Sequence, residues 1–232
     1  MLNKSLLFLC LMPTLFWGQT YEVGAFLGGA NAMTDIGAQE YINPSSLVVG
    51  GIFKWNKSQR YAWRAQLNYA LLNFDDKQSK DPSRVLRDYK SDNSILELSA
   101  GLEVNFIPYN LHKFGPAFSP YLYSGVTVFR YDYFGFDNDL PREPDFSQGK
   151  KDISFALPLI FGAKARVGSS TILGAEIGVR YTFTDNLDGN NPINSNFTAN
   201  SFGDINNNDW YVFSGITITY TFTRKPCQDC FD

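Results

Sequence analysis

Thr171-Ile172-Leu173-Gly174-Ala175-Glu176-Ile177-Gly178-Val179-Arg180-Tyr181-Thr182-Phe183 is a stretch with two chemistries in alternation. Thr171, Leu173, Ala175, Ile177, Val179, Tyr181 and Phe183 make one face, and Ile172, Gly174, Glu176, Gly178, Arg180 and Thr182 make the other. A period of two is that of a β-strand, whose successive side chains point to opposite sides of the sheet. The apolar face is continuous, while the second face mixes glycine with charges of both signs. In a soluble sandwich a charged face is simply solvated. Here similar strands recur along the whole chain behind an export signal, which turns the reading towards a membrane.

The same period predicts seven further strands: Tyr21 to about Asn31, Leu47 to Asn56, Arg60 to Phe74, Ser94 to Ile107, Tyr121 to Asp132, Ile153 to Val167 and Trp210 to Phe222. The contrast is strong in Ser94–Ile107, where Leu96, Leu98, Ala100, Leu102, Val104 and Phe106 oppose Glu97, Ser99, Gly101, Glu103 and Asn105. Tyr121–Asp132 is aromatic-rich and its facing is ambiguous. Pro158 lacks a backbone donor, so a bulge or kink is expected there. In the last strand Trp210, Val212, Ile216, Ile218, Tyr220 and Phe222 share the apolar face.

Connection lengths alternate. Lys57-Ser58-Gln59 and Gly168-Ser169-Ser170 are short and Pro108–Ser119 is intermediate, whereas 32–46, 75–93, 133–152 and 184–208 are long and polar. Outer-membrane barrels have this asymmetry, with short periplasmic turns and longer outer loops. Strands of about ten residues suit a tilted crossing of the apolar layer. Closure satisfies the backbone groups that lipid cannot. The expected fold is therefore all-β: an eight-stranded antiparallel transmembrane β-barrel with long outer loops, short periplasmic turns and both termini in the periplasm.

Met1–Gln19 reads as a secretory signal, with Lys4 ahead of an apolar run from Leu6 to Phe16 that is too short to span a bilayer. Cys10 sits too early, behind bulky Leu9, for a lipoprotein signal. The chain divides into a signal peptide (1–19), an outer-membrane barrel (20–223) and a periplasmic tail (224–232). A formal charge of -3 leaves no basic footprint for nucleic acid.

With the apolar faces turned outward, the lumen collects Glu22, Lys54, Arg64, Glu97, Glu103, Lys164, Arg166, Glu176 and Arg180. Eight strands enclose a space just wide enough for side chains to fill. These charges are thus expected to form a packed network of ion pairs rather than a conducting path, since an unpaired buried charge is costly. Glu97 and Glu103 lie roughly 20 Å apart at strand rise and form no catalytic dyad. The sole histidine, His112, has no nucleophile pattern near it. The Asp/Asn runs at 185–191 and 204–209 lack the ligand spacing of a calcium loop, and Asn196-Phe197-Thr198 is a short sequon. No catalytic residue, cofactor or metal site is expected, and the chain does not read as an enzyme.

After Phe222 come Thr223-Arg224-Lys225-Pro226-Cys227-Gln228-Asp229-Cys230. In an oxidising compartment the two cysteines can pair with each other, bond to a partner, or contribute to a metal site that needs further ligands. No thioredoxin-like context surrounds them.

Several stretches resemble the PorG-like outer-membrane barrels of the type IX secretion system in Bacteroidetes. They are Tyr21-Glu22-Val23-Gly24 with Gly28-Gly29-Ala30-Asn31, Leu157-Pro158 with Gly162-Ala163-Lys164, Tyr181-Thr182-Phe183-Thr184-Asp185-Asn186-Leu187-Asp188, and Trp210-Tyr211-Val212-Phe213-Ser214-Gly215 followed by Arg224-Lys225-Pro226-Cys227. The resemblance implies a non-enzymatic role: attaching a periplasmic ring of PorK-type lipoprotein and PorN-type partner to the outer membrane, for protein export and, in gliding species, motility. It implies contact through the periplasmic side, with Cys227, Cys230, Arg224 and Lys225 foremost and Lys57, Tyr109 and His112 behind them. A disulfide through the tail is one form of that contact. The Cys227-Gln228-Asp229-Cys230 spacing departs from the family pattern. Two other functions compete: an OmpA-like or Ail-like barrel acting in adhesion or surface protection through its outer loops, and a small channel.

Overall fold

A computed structural model describes residues 20–36, 40, 42–88, 90–112, 115–135, 145–185, 187 and 208–222. The expected signal (1–19), Asn196 of the sequon and the tail with Arg224, Lys225, Cys227 and Cys230 lie outside the described residues. Eight strands, β1 (Thr20–Met33), β2 (Ser46–Asn56), β3 (Tyr61–Asp75), β4 (Lys90–Asn105), β5 (Phe118–Gly135), β6 (Asp145–Arg166), β7 (Thr171–Thr182) and β8 (Trp210–Phe222), pair in sequence order and close as one barrel. Every pairing is antiparallel, including the closing seam of β1 with β8. The barrel therefore has no unpaired sheet edge.

Period-two patterning sorts the wall. On β3 the burial alternates at nearly every residue, with Tyr61, Trp63, Leu67, Tyr69 and Leu71 outside and Arg64, Gln66, Asn68, Ala70 and Leu72 inside. The same outward row continues as Leu96, Leu98, Leu102 and Val104 on β4 and as Phe155, Leu157, Leu159 and Phe161 on β6. From Tyr61 to Leu71 the row rises roughly 34 Å along the strand, or about 26 Å along the barrel axis at a typical tilt near 40°. That height matches the apolar band of a membrane barrel. Aromatic rings flank it. Tyr21 stacks on Phe53 at 5.9 Å and Tyr220 meets Phe222 at 5.0 Å at the turn end, and Tyr181 meets Trp210 at 5.0 Å at the loop end.

The structure corrects four local expectations. Pro158 shifts no register: β6 stays in phase with β7 through Pro158↔Arg180 and with β5 at Ser124↔Leu159 and Thr127↔Ala156, although the pairing with β5 lapses opposite Leu157 and Pro158, as a residue without a backbone donor entails. The shift in register lies instead between Tyr133 and Gly135. The described parts of the 133–152 segment, 133–135 and 145–152, extend the β5–β6 hairpin rather than forming a loop. Segment 75–93 contains a 3-10 turn (Asp76–Gln78), a short helix α1 (Pro82–Arg87) and the start of β4. Val212 keeps the outward parity of β8 but is only 1% exposed, so it does not face lipid.

Helix α1 begins where Pro82 follows an Asp81 cap whose side chain accepts from the Ser83 backbone N–H at 2.9 Å and from its hydroxyl at 2.8 Å. Those two bonds hold the Asp81 carboxyl below its ordinary range. The helix ends at Asp88, in the left-handed region (φ 53°) that Asp tolerates better than most residues. Arg87 clamps the buried Asp76 carboxylate through two bonds of 2.7 and 2.8 Å and also donates to the Asp35 carbonyl. The β3–β4 connection is thereby docked onto the β1–β2 connection.

Candidate functional site: the charged lumen

Burial in the barrel is divided by height. The loop-side half of the lumen is filled by Phe26, Ile36, Val48, Ile52, Leu72, Phe74, Ile95, Phe129 and Phe213. Below them, towards the short turns, lie Glu22, Glu103, Glu176, Lys54, Arg64 and Lys164, while Glu97 and Arg180 sit level with the apolar layer opposite Phe129 and Tyr211, which makes four buried carboxylates and four buried cations in all. The two sets balance, which an enclosed low-dielectric space requires.

Glu103, fully buried on β4, is the hub. It takes Lys54 Nζ at 2.7 Å, Lys164 Nζ at 2.6 Å and Arg64 Nη1 at 3.4 Å. Arg64 also reaches Glu176 Oε1 at 2.8 Å, and the Tyr121 hydroxyl donates to the other Glu176 oxygen at 2.6 Å. A polar chain then climbs the inner face of β3: Arg64 donates to Gln66 at 2.6 Å, Gln66 to Asn68 at 2.9 Å, and Asn68 to Glu97 at 2.6 Å. Glu97 receives Arg180 Nη2 at 3.2 Å and the Tyr211 hydroxyl at 2.7 Å. Glu22 accepts from the neutral Asn56 amide at 2.8 Å and the Thr219 hydroxyl at 3.0 Å.

Aromatic faces complete the packing of the cations. Lys54 and Lys164 sit 5.1 and 5.5 Å from the Tyr121 ring centre, Arg64 is 5.1 Å from Tyr123, and Arg180 is 4.2 Å from Phe213. Each such contact adds about 0.5–2 kcal/mol, more when desolvated. Among the described residues no group of three or more His, Cys, Asp or Glu side chains is arranged to hold a metal ion.

Arg166 departs from this set. It lies at the turn end and donates to the Asn110 carbonyl at 2.6 Å and the Gly115 carbonyl at 3.4 Å. It thereby pins the β4–β5 connection across the mouth, where Tyr109, Leu111 and Ile172 form a small buried cluster. The Tyr109 ring lies 4.9 Å from Lys164 and 5.6 Å from Arg166, so the connection reaches into the lower edge of the network. His112 sits within 3.4 Å of Thr20 Oγ1. Lys57 lies over the Trp55 ring at 4.8 Å.

The aromatic partners Tyr121, Tyr123 and Tyr211 did not stand out in the sequence. β5 has large side chains on both faces, and only the register with β4 and β6 turns Tyr121, Tyr123, Phe129 and Tyr131 inward. The nearest usable signal is the Tyr-x-Tyr spacing 121–123, in phase with Thr127, a polar residue flanked by Val126 and Val128.

Each of the four lumen carboxylates is engaged by donors inside a filled lumen. Solved structures with a similar barrel include Neisserial surface protein A (13% identity, 88% of this chain and 96% of that one, TM-score 0.43). Another is Ail of Yersinia pestis in complex with the heparin analogue sucrose octasulfate (9%, 88% and 97%, TM-score 0.44). A third is the outer membrane protein OprG of Pseudomonas aeruginosa (14%, 88% and 96%, TM-score 0.44). At these identities the likeness is one of fold. None of the curated proteins matches the chain by sequence. One family model does, from residue 2 to residue 231, and the chain accordingly belongs to DUF6089, a domain of unknown function.

Proposed function

We propose that this protein is a non-enzymatic outer-membrane component of the type IX secretion machinery, holding a periplasmic ring of PorK-type lipoprotein and PorN-type partner to the outer membrane. The observation that carries the reading beyond its sequence resemblance is the filled, charge-balanced lumen. A barrel whose interior is occupied by paired side chains is suited to anchoring rather than conduction. The short turns and both described ends of the barrel, Thr20 and Phe222, lie at one end, opposite the long connections. In this reading that end faces the periplasm, and the Arg224-Lys225-Pro226-Cys227 segment after β8 is presented to the ring, with Cys227 or Cys230 available for a disulfide.

Co-purification from mildly solubilised outer membranes tests this, with gels run with and without reductant beside Cys227→Ser and Cys230→Ser. Recovery of a ring lipoprotein, as a reductant-sensitive band lost in one variant, supports anchoring and identifies the thiol. An intact barrel recovered without any periplasmic partner overturns it in favour of a barrel acting through its outer loops. Single-channel conductance of the reconstituted protein would favour the channel.

A further inference from the structure

Arg130 stands out on the outer wall. On β5 the outward row runs Val126, Val128, Arg130, all exposed, so the arginine continues a membrane-facing apolar row at its loop-side end. Its cross-strand neighbours on that face are Leu96 of β4 and Ile153 of β6, both exposed and apolar, with Tyr69 of β3 next in the row beyond Leu96. Among the described residues Arg130 makes no hydrogen bond and no ion pair. The nearest carboxylate on the same face is Asp132, two residues on, and it is already engaged by the Ser94 hydroxyl at 2.6 Å and by Lys151 Nζ at 3.6 Å. Lys151 is half-exposed and keeps donors to spare. A surface pocket of about 100 Å³ is formed here, bordered by Tyr69, Leu96, Arg130, Asp132 and Lys151.

A guanidinium at the edge of an apolar belt has its stem in hydrocarbon and its head at headgroup depth. With no protein anion assigned to it, its favourable partner is one the membrane supplies. Arginine's planar fork matches phosphate oxygens in pairs, and a lysine beside it adds a second positive charge. We propose that Arg130 and Lys151 form a binding site for the phosphate of a membrane lipid headgroup, with the lipid's acyl chain lying along Leu96, Val128 and Ile153. The site is on the outer wall at the loop end, apart from the lumen network and from the turn-end surface assigned to the ring.

The test is native mass spectrometry of the whole protein, purified from membranes in a neutral detergent and delipidated. It is titrated with phosphatidic acid, with diacylglycerol of the same chains, and with inorganic phosphate. Phosphatidic acid should be retained, diacylglycerol and inorganic phosphate should not. Each of Arg130→Gln and Lys151→Gln should weaken retention about fivefold, and the pair about 25-fold, from roughly one interfacial charge contribution apiece. Arg60→Gln, an exposed cation at the other end of the barrel, should bind as the native protein does. Equal retention by native protein and double variant, or equal retention of diacylglycerol, overturns the site. Retention of inorganic phosphate as tight as that of the lipid makes it a free-anion site and overturns the lipid assignment. Heat-modifiable gel migration confirms that each variant is folded, and Arg130→Lys, which keeps the charge, should lose less than Arg130→Gln whatever the double variant does.

Discussion

Replacing Glu103 by Gln removes one charge from the centre of the barrel and leaves three cations facing a neutral amide. The lumen goes from four carboxylates against four cations to three against four. Arg64 keeps Glu176 at 2.8 Å and Gln66 at 2.6 Å, so it loses only its weakest contact, at 3.4 Å. Lys54 and Lys164 lose contacts of 2.7 and 2.6 Å and keep the tyrosine faces. Breaking a buried pair by removing one partner costs about 3–5 kcal/mol. Two lysines are stranded here, and cation–π contacts of about 0.5–2 kcal/mol each offset part of that loss. The expected loss is about 3–5 kcal/mol, read as a shift in the urea midpoint by tryptophan fluorescence in lipid vesicles. Combining Glu103→Gln with Lys164→Met restores neutrality and should recover about half of it. A Glu103→Gln midpoint equivalent to less than about 1 kcal/mol, the value of a screened surface pair, would refute the packed network and imply a hydrated lumen. Lys80→Ala, which breaks the exposed Lys80–Glu40 pair, serves as the control and should leave the midpoint unchanged.

Leu98 is 56% exposed on the outer face of β4. In lipid vesicles Leu98→Arg should destabilise the barrel by about 2–4 kcal/mol by urea unfolding, the cost of a cation at mid-depth, and no change would argue that this wall does not face lipid. Gly28 and Gly215 oppose each other across the closing seam, and a Cβ at Gly28 would lie 2.8 Å from the Gly215 Cα. Gly28→Val should therefore abolish heat-modifiable migration by preventing closure, while Gly51→Ala, where a Cβ meets nothing within 4 Å, should not. Asp76→Ala removes both carboxylate bonds that position Arg87 against the Asp35 carbonyl and so loosens the hold of the β3–β4 connection on the β1–β2 connection. Limited proteolysis of the purified protein should then cut within 76–88 at least several times faster than in the native protein, with the barrel left intact. Unaltered cleavage would mean the clamp does not hold that connection.

The period of two was enough to determine from sequence that the chain folds as eight strands, where all but β6 lie to within about four residues, and which side chains of most strands face outward. The reason is local: one residue's step along a strand moves a side chain to the opposite face whatever the rest of the chain does. Lys54, Arg64, Glu97, Glu103, Lys164, Glu176 and Arg180 could therefore be assigned inward before any pairing was known. Who pairs with whom was beyond that reasoning, because strand tilt and stagger bring together residues far apart in sequence, such as Arg64 with Glu176 and Tyr211 with Glu97. Tertiary structure alone also decided the inward turn of Tyr121 and Tyr123, whose strand is large-sided on both faces, and the partners of Arg166, which are the carbonyls of Asn110 and Gly115. Its parity gives only a face, and depth along the barrel decides whether that face meets a carboxylate or the carbonyls of a turn.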